Sequence, residues 1–314
     1  MQNDNRLGII LIIIGMSFFA VQDILIKSMA PEASLMQILF FRGLIGTLLL
    51  TIFFYFTGRK INFSSSFPFI AILRGFLFFL GFTAYYISLT LIPLAEATSL
   101  FFISPFFMTI FSKFILKNDV GRYRIFTIFV GFIGILLIIK PNFSEFNWAM
   151  ILPIFCAATY SLSMILAKLT SNSDSSFQQT THIYVSNFIF AATTSLIAIN
   201  FFPNAEGNSG IAFLVRPFDF TNYLFLTYIV IISVFGTIGI LCLIMAYRIG
   251  LPAANAPCEY ILLIYALLIG YFLFNEIPDI LSLFGMLFIT LSGIYIFIRE
   301  GIKKSEIATE TRLR

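Results

Sequence analysis

"IPLAEATSLFFISPFFMTIFSKFILKND" at residues 92–119 lies over "LPAANAPCEYILLIYALLIGYFLFNEIP" at residues 251–278 without a gap, at an offset of 159. Each copy opens with a proline, Pro93 or Pro252, before an Ala-rich helix start. Each ends in a charged turn, Lys117–Asp119 or Glu276–Asp279, and a Gly-containing apolar stretch follows, with Gly134 falling on Gly293. Apolar sequences also align by chance; the shared prolines, turns and glycine favour a repeat. Outward from these copies the chain resolves into ten hydrophobic stretches, at about 7–28, 35–57, 67–90, 94–116, 123–140, 148–169, 180–201, 221–247, 254–274 and 280–298. A run of about 20 apolar residues makes a helix as long as the hydrocarbon core of a bilayer is thick. In lipid every backbone N–H and C=O must be bonded within such a segment, so each stretch is expected to be a helix. Five helices per half is an odd number, so the second half enters the membrane from the opposite side. That is an inverted repeat, a frequent ground plan of secondary transporters.

The expected fold is therefore an all-α integral membrane protein. Ten transmembrane helices fall in two five-helix repeats, 1–141 and 148–300, with a cytoplasmic tail at 301–314. Composition agrees: 59% of residues are apolar, 18% aromatic and only 11% charged, with 41 Phe, where soluble domains carry about 25% charged residues. The first stretch is too long for a signal-peptide core and lacks a small-residue cleavage site, so it reads as the first span. With the N-terminus inside, fourteen Lys and Arg, among them Arg6, Arg59, Lys60, Lys117, Arg248 and Lys303, fall on the cytoplasmic side. Three, Lys27, Lys140 and Arg216, fall outside, and two, Arg42 and Arg74, lie within spans. This is a positive-inside bias with both termini cytoplasmic.

Cys156, Cys242 and Cys258 all lie in hydrophobic spans and read as small buried hydrophobes. One histidine, His182, cannot hold a metal alone. The Asn62 and Asn142 sequons matter only in a secretory pathway. The sequence shows no Walker loop, no metal spacing and no nucleophile elbow. No enzyme activity, cofactor, metal or nucleic-acid partner is expected.

Taken together, the residues resemble the EamA-type branch of the drug/metabolite transporter superfamily over essentially the whole chain. "RGFLFFLGFTAYYISLTLIPLAEATSLFFISPFF" is similar to its helices 3 and 4, and the stretch from "AYRIGLPAANAPCEY" to "LSGIYIF" is similar to its helices 8 to 10. Lys117-Asn118-Asp119 departs from the pattern, which commonly shows a Glu there. The resemblance implies two EamA-type repeats around a central cavity, a monomer able to work alone with a dimer also compatible, and transport of small organic solutes. The substrate stays open: amino acids, vitamins, nucleosides, cationic metabolites and drugs are all carried by members.

Ionisable groups inside a span cost about 2.5–3.5 kcal/mol on insertion scales, so each one needs a reason. Asp23 and Lys27 stand four apart on helix 1 and are expected to pair, either to aid insertion or to open for a charged solute. Lys27, Arg248 and His182 lie near span ends, where side chains reach the interface. Arg42 is a candidate for a solute carboxylate or for a network with Asp23. Arg74 can equally reach the headgroups. Glu96 and Ser99 follow Pro93, and Pro105 is expected to kink or break that helix. Pro257, Glu259 and Tyr260 repeat the device in helix 9, and paired irregular helices point to a transporter site. A helix-start carboxylate favoured by the dipole is the alternative for each Glu. Tyr85, Tyr86, Tyr160 and Tyr260 are candidates to touch solute. Trp148 reads as an interface anchor, and Gly43/Gly46, Gly131/Gly134 and Gly236/Gly239 as close helix contacts.

The reading is an inner-membrane, multi-pass secondary transporter of a small organic metabolite, working by alternating access. Its partners are the solute, the bilayer and a coupling proton or cation, with Asp23, Glu96 and Glu259 as coupling candidates. The mixed charges suit an amphoteric or zwitterionic solute: a vitamin such as riboflavin, S-adenosylmethionine or an amino-acid derivative, in the direction of the resemblance. The alternatives are an exporter of cationic drugs or amino acids, a membrane-embedded enzyme acting on lipid, and a non-transporting scaffold.

Overall fold

A computed structural model describes residues 5–58, 63–117, 122–139, 147–170, 172–201, 210–249 and 256–312. Among them the chain is all helix, with no strand. Arg59, Lys60, Asn62, Asn118, Asp119, Lys140, Asn142 and Pro252 lie outside the described residues, as do the side chains of Pro105, Arg248 and Pro257.

The α-helices are α1 (Asn5–Met29), α2 (Leu35–Phe56), α3 (Pro68–Ser88), α4 (Leu94–Phe101), α5 (Ser104–Ile115), α6 (Arg122–Ile139), α7 (Ile151–Leu169), α8 (Ser176–Phe201), α9 (Gly210–Val215), α10 (Tyr223–Ile249), α11 (Ile261–Phe274) and α12 (Ile280–Arg312). Short 3-10 turns at Trp148–Met150 and Ala256–Tyr260 lead into α7 and α11. All ten expected stretches are helical. The additions are α9, in the long joint before α10, and the run of α12 to Arg312 through what was expected to be a tail. Among the described residues, six segments are long and apolar enough to cross a membrane: Arg6–Met29, Leu35–Phe56, Pro68–Ser88, Leu94–Ile115, Trp148–Leu169 and Tyr223–Ala246. Ile128–Ile139, Cys258–Phe274 and Ile280–Tyr295 are shorter apolar helices.

The bundle is dressed for lipid. Large apolar side chains stand exposed on its outside, among them Ile72, Phe129, Leu196, Leu224, Leu268 and Leu291. Polar groups turn inward instead, including Gln22, Asp23, Arg42, Arg74, Glu96, Thr181 and Asn187. In a bilayer that arrangement keeps charges out of hydrocarbon.

Helix α1 runs along α10, α2 along α8 and α10, α3 along α7 and α8, and α6 along α12. The broken pair α4 and α5 packs on α7, and α11 packs on α1 and α4. Small residues permit the closest approaches. A Cβ on Gly134 would stand 2.8 Å from Gly285 O, and one on Gly285 would stand 2.6 Å from Gly134 O, so α6 and α12 meet backbone to backbone. Gly43 likewise faces Tyr184 O and the Phe188 amide across α2 and α8.

The break expected from Pro105 is present. Helix α4 ends at Phe101, and α5 restarts at Ser104 with the proline in its first turn. Proline has no N–H to give to the preceding turn and is well placed at a helix start. At the other end of α11, Asn275 takes the left-handed conformation, φ 54°, which Asn tolerates better than most residues. That turn lets the Glu276 amide bond back to Gly270 O at 2.8 Å and returns the Glu276 side chain to the bundle.

Candidate functional site

The end of the bundle near Lys27 is closed by a clasp that joins three elements. Lys27 Nζ lies 2.5 Å from Glu276 Oε1, donates to Ile92 O at 3.1 Å and sits over the Phe274 ring at 5.2 Å. The other oxygen of Glu276 accepts the Leu94 amide at 2.9 Å. Pro93, the residue before α4, has no side-chain acceptor for the orphan amides of that helix, so Glu276 supplies one from across the bundle. The expected Asp23–Lys27 pair is therefore corrected. Lys27 stands in the last turn of α1, level with the turns that hold Glu276 and Ile92, whereas Asp23 is one turn deeper.

Asp23 instead meets Tyr85 of α3. Tyr85 Oη donates to Asp23 Oδ2 at 3.3 Å and lies 3.2 Å from Thr98 Oγ1, which itself donates to Leu94 O at 2.8 Å. Tyr85 has one hydrogen and two claimants for it. Asp23, Leu94 and Thr98 also line a crevice closed on its far side by Leu262, Ala266 and Ile269 of α11. The crevice leaves no room for a water-sized body. The clasp meets this crevice at Leu94.

The next residue on each helix builds a second face. Tyr86 Oη accepts from Gln22 Nε2 at 3.0 Å and from Arg42 Nη1. Gln22, Arg42 and Tyr86 are all buried, and Arg42 has no carboxylate within ion-pair distance among the described residues. Two tyrosine hydroxyls thus stand between Asp23 and Arg42 in place of a direct bridge.

An aromatic wall joins this region to the helix break. Phe82 is 6.2 Å from Tyr85, 5.9 Å from Tyr86, 6.1 Å from Phe101 and 6.3 Å from Tyr160 between ring centroids. Tyr160 and Phe101 are 5.4 Å apart, and Tyr260 lies 4.8 Å from Phe102 in the break itself. Such rings can stack on a planar group or accept a cation on their faces.

Among the remaining candidates, Glu259 lies within electrostatic reach of Tyr160 and Tyr260 of the aromatic wall. Ser282 Oγ of α12 donates to Glu96 Oε1 at 3.1 Å, so this carboxylate faces α12 and not the crevice. Ser99 returns its hydroxyl to Glu96 O at 2.9 Å. Glu259 is half-buried in the 3-10 turn before α11, beside Tyr260. Arg74 is a link between helices: its Nε donates to Ser163 O at 3.1 Å, and Ser163 Oγ returns a bond to Arg74 O at 3.2 Å. Gln22, Thr98 and Glu276 were not singled out as site residues by sequence. Gln22 and Thr98 are uncharged and escape a census of ionisable groups, and Glu276 falls in a turn.

The opposite end of the bundle carries its own clasp. Asp174 accepts from Ser65 Oγ at 2.5 Å and from the Ser66 amide at 3.0 Å. Gln178 donates to Ser64 O at 2.5 Å, and His182 Nε2 donates to Phe63 O at 2.7 Å. Burial pushes the Asp174 carboxyl up, but the bonds from Ser65 and Ser66 outweigh it and hold the group below its ordinary range.

A bundle with an apolar exterior, buried opposite charges, a broken helix and a clasp at each end has the parts of a membrane transporter. The comparisons agree. Residues 6–140 match the EamA-like transporter family. The S-adenosylmethionine uptake transporter of Rickettsia prowazekii (strain Madrid E) is 26% identical over 95% of this chain and 94% of its own length. The pseudopaline exporter CntI of Pseudomonas aeruginosa PAO1 is 26% identical over 91% and 94%. An uncharacterized transporter of Helicobacter pylori J99 is 23% identical over 97% and 99%. A crystal structure shares the fold at a TM-score of 0.59, with 13% identity over 91% of this chain and 94% of that one. An EamA-type transporter domain thus covers residues 6–140, and the curated relatives that align along nearly the whole chain are transporters.

Proposed function

We propose that the protein is an inner-membrane, multi-pass secondary transporter of a small amphoteric metabolite. It alternates access between two inverted five-helix halves, with both termini cytoplasmic. The observation that carries the reading is the pair of buried faces built by α1, α2 and α3, one acidic at Asp23 of α1 and one basic at Arg42 of α2, beneath the Lys27–Glu276 clasp. A simple cation needs only the first face. A solute with a carboxylate and a cationic centre uses both. S-adenosylmethionine has that chemistry together with a planar base for the aromatic wall, and one relative is named as its uptake transporter. Another relative is named as an exporter, so the comparisons support either direction. Export of cationic drugs or amino acids is the second reading, favoured by the Asp23 carboxylate alone.

The helix pairing supports the inverted repeat. Take α1, α2, α3, α4–α5 and α6 as one half, and α7, α8, α10, α11 and α12 as the other. Exchanging the halves turns α1–α10 into α7–α3, α2–α10 into α8–α3, and α1–α11 into α7 against α4–α5. It returns α2–α8 and α6–α12 to themselves. All these contacts are present. A two-fold axis in the membrane plane requires such a set.

The test is flux of labelled S-adenosylmethionine and other amphoteric solutes into proteoliposomes, with and without a pH gradient. Asp23→Asn and Arg42→Gln should each cut flux by roughly tenfold or more, the worth of one lost charged contact. Parental flux in both variants refutes the site. Glu96→Gln keeps an acceptor for Ser282, so a loss of pH dependence in it or in Glu259→Gln marks a coupling group. Unchanged profiles in both remove the pair from coupling.

A further inference from the structure

Successive residues on a helix point about 100° apart. The neighbours Gln22 and Asp23 on α1, and Tyr85 and Tyr86 on α3, therefore face two different ways. On the face of Gln22, Tyr86 and Arg42, three buried atoms have no hydrogen-bond partner among the described residues: Gln22 Oε1, Arg42 Nε and Tyr184 Oη. Two of them converge on one point. A Cβ built on Gly236 of α10 would stand 2.5 Å from Gln22 Oε1 and 3.3 Å from Arg42 Nε. Tyr184 lies within electrostatic reach of the same guanidinium. A guanidinium carries five N–H donors, and only Nη1 of Arg42 is bonded, to Tyr86. A buried cation with unspent donors is costly, and the group that satisfies it best is a planar carboxylate gripped through Nε and one Nη. Gln22 Oε1 opens on the same place and can only accept, as an ammonium beside that carboxylate requires.

We propose that Arg42, Gln22 and Tyr184, grouped around Gly236, form the seat for the solute's carboxylate, and that the transporter selects an amino-acid head group through it. Asp23, on the adjacent face, takes a cationic centre further along the same solute. Glycine at 236 lets Gln22 Oε1 and Arg42 Nε come together against α10, because any side chain there enters the space they occupy. The assignment rests on the transport reading above.

Binding to the full-length protein in nanodiscs tests it with two matched pairs of probes. These are S-adenosylmethionine with its decarboxylated form, and arginine with agmatine. In whichever pair binds, the carboxylate-bearing member should bind at least about tenfold more tightly, as expected for one charge-assisted contact. Gln22→Glu is nearly isosteric and offers Arg42 an internal carboxylate. It should abolish that preference while leaving the decarboxylated probe bound as well or better. Gly236→Ala should act in the same direction, and if it fails to fold, Gln22→Glu decides alone. Equal affinities within each pair, or a preference that survives Gln22→Glu, overturn the seat and leave the transport reading intact. Binding of none of the four probes overturns both the seat and the amphoteric solute.

Discussion

Neutralising Glu276 should open the end of the bundle that Lys27 closes. The side chains are 10% and 20% exposed for Lys27 and Glu276, so the pair is neither at the surface nor fully desolvated. Exposed pairs are worth about 0.2–1 kcal/mol, and breaking a buried one costs about 3–5 kcal/mol. The clasp lies between, at about 1–3 kcal/mol, including the ionised acceptor that Leu94 N–H loses. If that energy belongs to the closed state alone, Glu276→Gln moves the closed-to-open ratio by about 5- to 150-fold. Ala266 lines the crevice beneath the clasp. A cysteine at Ala266, in a background lacking Cys156, Cys242 and Cys258, reports the opening through its labelling rate with an impermeant thiol reagent added from outside. The rate should rise at least about fivefold in Glu276→Gln. The charge swap Lys27→Glu with Glu276→Lys should recover part of it, because the ion pair returns but the Leu94 amide stays without a carboxylate. An unchanged rate together with a lowered melting temperature would show that the clasp braces the fold and is not a lid.

The charge bias places Lys117 in the cytoplasm and Lys140 outside, so single cysteines at those positions should be labelled in intact cells at 140 and not at 117. The reverse pattern inverts the molecule. Gly134→Val drives a side chain into Gly285 O and should destabilise the α6–α12 pairing by about 1–3 kcal/mol, seen as a lower melting temperature in detergent. Gly270→Ala, whose added carbon would stand 3.5 Å from Glu276 Oε2, should be tolerated. The lowered Asp174 carboxyl gives the opposite clasp an acid limit. A group held below its unfolded value of 3.8 contributes stability above that pH and loses it as pH falls through the lower folded value. Asp174→Asn should therefore flatten the acid limb of stability measured below about pH 4, and an unchanged limb refutes the role.

Much of the fold was legible because lipid imposes one rule on every segment: satisfy the backbone internally and keep charges inward. That rule marked the apolar stretches as helices, and their described residues are mostly helical, six segments among them being long and apolar enough to span a membrane. It also marked Asp23, Arg42, Tyr85 and Tyr86 as residues needing partners, and the structure brings them together from α1, α2 and α3. Pro105 broke its helix because the missing N–H is a local fact. Partner choice is a different matter. Lys27 and Asp23 share a helix face, yet which acid Lys27 meets depends on where a turn 249 residues further along the chain returns, through Asn275, to the bundle. Glu96 and Glu259 looked equivalent beside their prolines, but the direction in which α4 presents Glu96, toward Ser282 of α12, is set by packing. Gln22 carries no charge and left no trace in a census of ionisable groups. Only its position between Tyr86 and Gly236 gives it a part.

The separation of Asp23 from Arg42 has an energetic consequence for transport. A direct bridge between them, or between Asp23 and Lys27, would have to break before a zwitterion could enter. Breaking a buried pair costs about 3–5 kcal/mol, which the solute would have to supply. Here each charge is held through a tyrosine hydroxyl, and exchanging such a bond for one to a solute is worth about 1 kcal/mol either way. Neither group is locked to the other by an ion pair. Lys27, the cation one turn from Asp23 on the same helix, is instead held by Glu276 at the clasp. The ion pair that must break is thereby assigned to the conformational step, and the solute site is left free to exchange neutral hydrogen bonds for charged ones. If the protein works by alternating access, as proposed, the lid would open at the expense of the Lys27–Glu276 pair, and the solute would then meet two charges held by neutral hydrogen bonds and not by an ion pair with one another.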